Sequence, residues 1–161
     1  MSQDQFDTLV AEYHGEIYKY LLVINGRAVD AHDLSQETFV QAFKRCRSAE
    51  PVAGARPWLF GIATELSRRR LRSRRRPARR SIEIDRVATD GHWRHPITLA
   101  LMRLSAEQRI ALALRRLHDF DHQGIGRMLG CSSDRARDRV VQGFRTLARL
   151  TESRSRRVAP V

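Results

Sequence analysis

Three absences narrow what this chain can be. It has only two cysteines, Cys46 and Cys131, far apart in the sequence. That is too few and too distant for a disulfide framework, and they are expected as thiols in a reducing compartment. No apolar run reaches the roughly 18 residues a membrane-crossing helix needs, so no membrane insertion is expected. The chain opens polar and acidic, without a basic segment leading into an apolar core. No secretory signal is therefore expected, and the expected location is cytoplasmic. Catalytic motifs are missing as well. There is no phosphate-cradling glycine loop and no nucleophile elbow. His118 and His122 stand four apart with Cys131 nearby, but no fourth ligand has sensible spacing. Two surface histidines flanking a helix boundary are the better account, and no metal, cofactor or enzymatic activity is expected.

What is present is helical periodicity, with no strand pattern and no internal repeat. Phe6, Leu9, Val10, Tyr13, Ile17, Tyr20, Leu21 and Ile24 recur at three-and-four spacing, the mark of one amphipathic helix. Asn25-Gly26 stops it. Asp30 is placed to cap a second helix running to about Cys46, with Leu34, Phe39, Ala42 and Phe43 turned inward. Residues 47–56 contain Pro51 and Gly54 and no period, so they read as a loop. Pro57 suits the first turn of a third helix, whose stripe is Trp58, Leu59, Ile62, Ala63 and Leu66. Three such helices can share a small core.

Residues 68–80 hold nine arginines in thirteen positions. A block that repels itself cannot be packed, so it is expected as a solvated helix end running into a linker. The helical period resumes near Ile97. Ser105 with Gln108 forms a capping box for a helix carrying Ile110, Ala113, Leu114 and Leu117. From Asp121 onward, two helices flank a tight turn. Ile125, Met128 and Leu129 share a face of the first, and Gly130 can take the left-handed conformation that ends it. Ser132 and Ser133 offer an N-cap for a second helix with the stripe Ala136, Val140, Phe144 and Leu147. Arg135, Arg137, Asp138, Gln142 and Arg145 fall largely off that stripe. This is the layout of a helix-turn-helix with a recognition helix sized for the major groove; an ordinary helical hairpin with a solvated basic face is the alternative.

Charge placement bears on that choice. Residues 1–43 carry seven acids against two bases, net −5, which leaves +17 on residues 44–161 of a chain whose net charge is +12. A chain built only to coat nucleic acid gains nothing from an acidic front. Two partners of opposite sign fit better: a basic protein surface for the front, phosphate for the rest. Of the 30 basic residues, 28 are arginine, a bias that a GC-rich genome also produces.

Four segments, in order, carry a family resemblance. Asp30-Ala31-His32-Asp33-Leu34-Ser35-Gln36-Glu37-Thr38-Phe39 resembles the DAxDLxQExF signature of extracytoplasmic-function sigma factors. Trp58-Leu59-Phe60-Gly61-Ile62-Ala63 is similar to their WLfxIA segment. Leu104-Ser105-Ala106-Glu107-Gln108-Arg109 resembles the opening of their second domain, and Leu129-Gly130 occupies the LG of its helix-turn-helix. The resemblance covers about residues 6–150. It implies an all-α chain of two small helical domains: a sigma region 2-like bundle over 1–72 and a sigma region 4-like helix-turn-helix over 97–152. A flexible basic linker, 73–96, would join them, and a basic tail, 153–161, would follow.

The function implied is that of a dissociable subunit that binds core RNA polymerase and directs promoter-specific initiation. By the resemblance, Asp30, Asp33, Gln36 and Glu37 form the polymerase-docking face. Residues 47–56, with Arg47, Ser48 and Arg56, correspond to the reader of a flipped non-template base in the minus-ten element. Arg68, Arg69 and Arg72 would lie against phosphate. In the recognition helix, Arg137, Asp138 and Val141 align with base-facing positions for the minus-thirty-five duplex and Arg135 with the turn into it. Gln142 lies beside them, and Arg139 and Arg145 are phosphate candidates. An anti-sigma factor is a further partner of the kind this family uses.

Some positions depart from the pattern. Gly124-Ile125-Gly126 stands where EIA is usual, and each helical glycine costs about 1 kcal/mol relative to alanine, so a looser supporting helix is expected. Asp138 replaces a small residue, Glu65 an asparagine and Arg69 an aspartate. These bear on the promoter code and on melting. A plain helix-turn-helix regulator of duplex DNA, or a sigma-like protein without melting activity, is the alternative; a repressor would have no use for the acidic docking helix.

Overall fold

The computed structural model describes residues 2–46, 54–73 and 96–155. Seven helices are described: α1 Gln3–Asn25, α2 Ala28–Cys46, α3 Ala55–Ser73, α4 Pro96–Met102, α5 Ala106–Arg116, α6 His122–Leu129 and α7 Ser133–Ser155. They fall into two compact units, one ending at Ser73 and one beginning at Arg74. The Arg47 and Ser48 expectations, most of the linker and most of the basic tail lie outside the described residues.

In the first unit α1, α2 and α3 pack together as a three-helix bundle. Ser2 and Gln5 cap α1 reciprocally, and Gly26, at φ 71°, ends it in the left-handed region. The α1 stripe buries Phe6, Leu9, Ile17, Tyr20, Leu21 and Ile24 against Leu34, Phe39 and Ala42 of α2 and Leu59, Ile62 and Leu66 of α3. Phe60 is also fully buried, its ring 4.9 Å from that of Tyr20. The sequence stripe gave that place to Trp58, which is only half-buried. Two polar pairs inside this core bridge helices, whereas the buried Ser35 hydroxyl and Asn25 Oδ1 have no hydrogen-bond partner among the described residues. The Tyr20 and Thr64 hydroxyls are 2.6 Å apart, and the Asn25 amide donates to the Leu21 carbonyl and to Ser67 Oγ. Such pairing offsets the cost of burying them.

Asp30 departs from its expected place. It lies inside the first turn of α2 rather than capping it, and only 3% of its surface is exposed. Arg70 Nη1 of α3 donates to one carboxylate oxygen at 3.0 Å, and Arg27 Nε lies 3.6 Å from the other. A buried carboxylate needs such partners.

In the second unit, α5, α6 and α7 pack together, with α4 against α7. The Ser105–Gln108 capping box forms as expected. Ile110, Leu114, Ile125, Leu129 and Ala136 fill the core. Arg109 is buried among them and donates to the Leu101 carbonyl at 3.3 Å; burial lowers its pKa to about 10. His118, expected on the surface, is buried, whereas Leu117, expected in the stripe, is exposed because α5 has ended before it.

One of the two glycines of the supporting helix α6 stands at a close backbone approach. A Cβ on Gly126 would stand 2.7 Å from the Cys131 carbonyl oxygen. The bare backbone lets the turn at Gly130, φ 64°, fold back closely, with the Cys131 amide donating to the Gly126 carbonyl at 2.9 Å. Ser132 Oγ then accepts from the Arg135 amide at the start of α7. This last helix runs through Ser155, past the expected domain end at 152.

Candidate functional site

Three exposed faces gather the charged residues, on α2 and at the end of α3 in the first unit and on the last helix of the second. On α2, Asp33, Gln36 and Glu37 all point to solvent, and Gln36 Nε2 lies 3.1 Å from His32 Nε2. The sequence pattern missed their apolar neighbours. Val29 is 65% and Val40 50% exposed, and positions 29, 33, 36 and 40 follow the helical period along one stripe. Acids between two bare valines suit a partner surface that is itself basic and partly apolar. Asp30 is not on this stripe, being held in the core by Arg70.

The α3 arginines divide by partner. Arg69 and Arg72 are exposed and Arg68 is half-buried. Arg69 Nη2 donates to Glu65 one turn back, and Arg45 Nη2 of α2 reaches the other oxygen of the same carboxylate at 3.1 Å. No sequence pattern pointed to Arg45, because its role depends on a contact twenty residues away. Arg56, expected at the minus-ten reader, is otherwise engaged. Its Nε lies 3.1 Å from both Glu16 oxygens, its Nη2 donates to the same group, and the guanidinium lies 5.2 Å from the Phe60 ring centroid. It clasps the start of α3 to α1.

On α7, Arg135, Arg137, Asp138, Val141, Gln142 and Arg145 are all exposed. From Arg135 to Arg145 the helix rises about 15 Å, long enough to follow a major groove. Arg139 belongs elsewhere. It is half-buried, 3.2 Å from Glu107 Oε2 of α5, and its Nη1 lies 3.0 Å from Cys131 Sγ. It fastens the recognition helix to its support instead of reaching outward. Phe144 is the opposite case: placed in the apolar stripe by its spacing, it is 54% exposed, with the Arg116 guanidinium 5.8 Å from its ring centroid. Among the described residues no cluster of three or more metal-ligating side chains exists.

The sigma-70 region 2 family matches residues 9–77 and the sigma-70 region 4 family residues 94–147. The RNA polymerase sigma factor CarQ of Myxococcus xanthus is 27% identical over 157 residues, covering 92% of this chain and 90% of its own. The extracytoplasmic-function sigma factor SigE of Mycolicibacterium smegmatis is 27% identical over 154 residues, covering 88% of this chain and 60% of its own length. CnrH, solved in complex with the cytosolic domain of CnrY, superposes with a TM-score of 0.71 at 25% identity, covering 94% of this chain and 90% of that one. The sigma factor RpoE from Bartonella quintana, solved with the anti-sigma factor NepR, shares the fold with a TM-score of 0.73 at 23% identity, over 92% of this chain and 97% of that one. The CnrH complex also corrects the plain cytoplasmic assignment expected from the sequence. That similar chain is held by the cytosolic domain of CnrY, and the plain cytoplasmic expectation is not carried over to this chain. For this chain, no helix among the described residues is long and apolar enough to cross a membrane.

Proposed function

The chain belongs to the extracytoplasmic-function group of sigma-70 factors, non-catalytic subunits that bind core RNA polymerase and direct transcription, and from that membership we propose how its surfaces divide the work. The α2 stripe of Asp33, Gln36 and Glu37, flanked by Val29 and Val40, docks the polymerase. The exposed arginines at the end of α3, with Arg45, hold phosphate at the minus-ten element, where they add affinity without sequence information. Arg47 and Ser48 face the flipped base on the strength of the resemblance alone.

The second unit reads the minus-thirty-five duplex. Arg137 can pair bidentately with guanine, Asp138 can accept from a cytosine amino group, and Val141 can pack against a thymine methyl. Arg135 and Arg145 flank them at phosphate. Residues 1–72 and 97–152 form the two working domains and 73–96 the connection. An anti-sigma factor is the further partner, in line with the RpoE–NepR complex.

The observation that carries this division is the pair of sigma-70 matches, in family order, over two helical units, with an acidic stripe on α2 and exposed arginines on α3 and α7. Reversing charge at Asp33→Lys and Glu37→Lys tests the docking half. Both side chains are solvent-facing, so the helical circular dichroism should stay as it is while co-purification with core polymerase is lost. Undiminished co-purification would remove this face from the account.

A further inference from the structure

The Glu65 carboxylate is the one acid on the outer side of α3, and it is shared. Arg69, four residues on, donates to one oxygen, and Arg45 of α2 to the other at 3.1 Å. Positions 65, 68, 69 and 72 lie on one helical face, so the carboxylate sits amid the arginines assigned above to phosphate. All three groups are partly exposed. Solvent-exposed pairs of this kind are weak and easily exchanged. They differ in this from the Asp30–Arg70 pair, whose carboxylate is buried.

We propose that Glu65 is a specificity-determining residue: its carboxylate occupies the Arg45 and Arg69 guanidinium groups and repels passing phosphate, so that the two arginines are given up only to a strand that fits the α2–α3 face. The inference rests on the assignment of that face to DNA. The physical need for such a brake is plain in a chain of net charge +12. Arginine–phosphate attraction is indifferent to sequence and releases counterions wherever it occurs. With Glu65 in place the triad presents one net positive charge. Without the carboxylate it presents two, and indifferent binding gains what selective binding loses.

The test is the salt dependence of binding by the full-length chain to a fluorescein-labelled duplex lacking promoter sequence, comparing wild type, Glu65→Gln and the triple variant Glu65→Gln/Arg45→Gln/Arg69→Gln. In Glu65→Gln the affinity should rise several-fold. The slope of log K against log salt should steepen by about 0.9 for each phosphate newly engaged. The triple variant should lose both gains, since the arginines that cause them are gone. A merely structural Glu65 would change melting temperature without moving the slope. Salt-dependent wild-type binding with an unchanged Glu65→Gln slope and affinity overturns the inference alone. Wild-type binding that ignores salt overturns the assignment of DNA to this chain and the inference with it.

Discussion

Tyr20 is sealed in the first unit with its hydroxyl on Thr64, and burial raises its pKa above the ordinary 10.0. The folded state therefore keeps a proton that the unfolded chain releases at alkaline pH. This contribution is whole below about pH 10 and is lost above it, at about 1.4 kcal/mol per pH unit. Tyr20→Phe should cost about 1 kcal/mol near neutrality, since Thr64 loses its partner, and should flatten the alkaline decline. Urea unfolding at pH 8 and pH 11 checks it; an equally steep decline in the variant would assign the effect to another group. Arg109 acts with the opposite sign. Its folded pKa is lowered from 12.5 to about 10, so the unfolded chain holds more protons between those values and the second unit gains stability as pH rises through them. Neither group is legible from the sequence as a pH sensor, because each shift comes from burial. The structural roles of Asp30, Arg56 and Arg139 are not legible from the sequence either. Their charge suggests a surface role, but each finds its carboxylate or guanidinium partner on another helix.

At the scale of the element, periodicity carried most of the information. The α1 stripe and both capping glycines stand where the spacing of apolar residues and turn formers put them. It misassigned one face of α7, and the reason is a close crossing. A Cβ on Gly143 would lie 3.2 Å from the Gln108 carbonyl oxygen, so α7 presses its glycine side to α5 and turns Phe144 outward. Hydrophobic spacing cannot show which small residue admits a neighbouring backbone. Gly126 makes the same point as a prediction. Helix propensity alone says that Gly126→Ala stabilises α6 by about 1 kcal/mol. The Cys131 carbonyl, 2.7 Å from the new Cβ, reverses that sign, and the variant should instead destabilise the second unit by roughly 1–3 kcal/mol. A thermal melt decides between them, and a raised midpoint would contradict the close approach.

At the scale of the whole molecule, two helical units of different charge stand on one chain, an acidic stripe on α2 and an arginine-bearing recognition helix on α7. Their order could be read from four short segments and a charge gradient. Which side chains remain available for a partner could not, because that depends on inter-helix contacts such as Arg56 with Glu16. The central claim is that both faces serve one act, the choice of where transcription starts. Run-off transcription with purified core RNA polymerase on pooled genomic fragments, with and without this chain, tests it most directly when transcript starts are mapped. New starts that share two spaced upstream motifs and depend on this chain are expected. A chain that binds the fragments but yields no new start, with core polymerase active on the same templates, would contradict it.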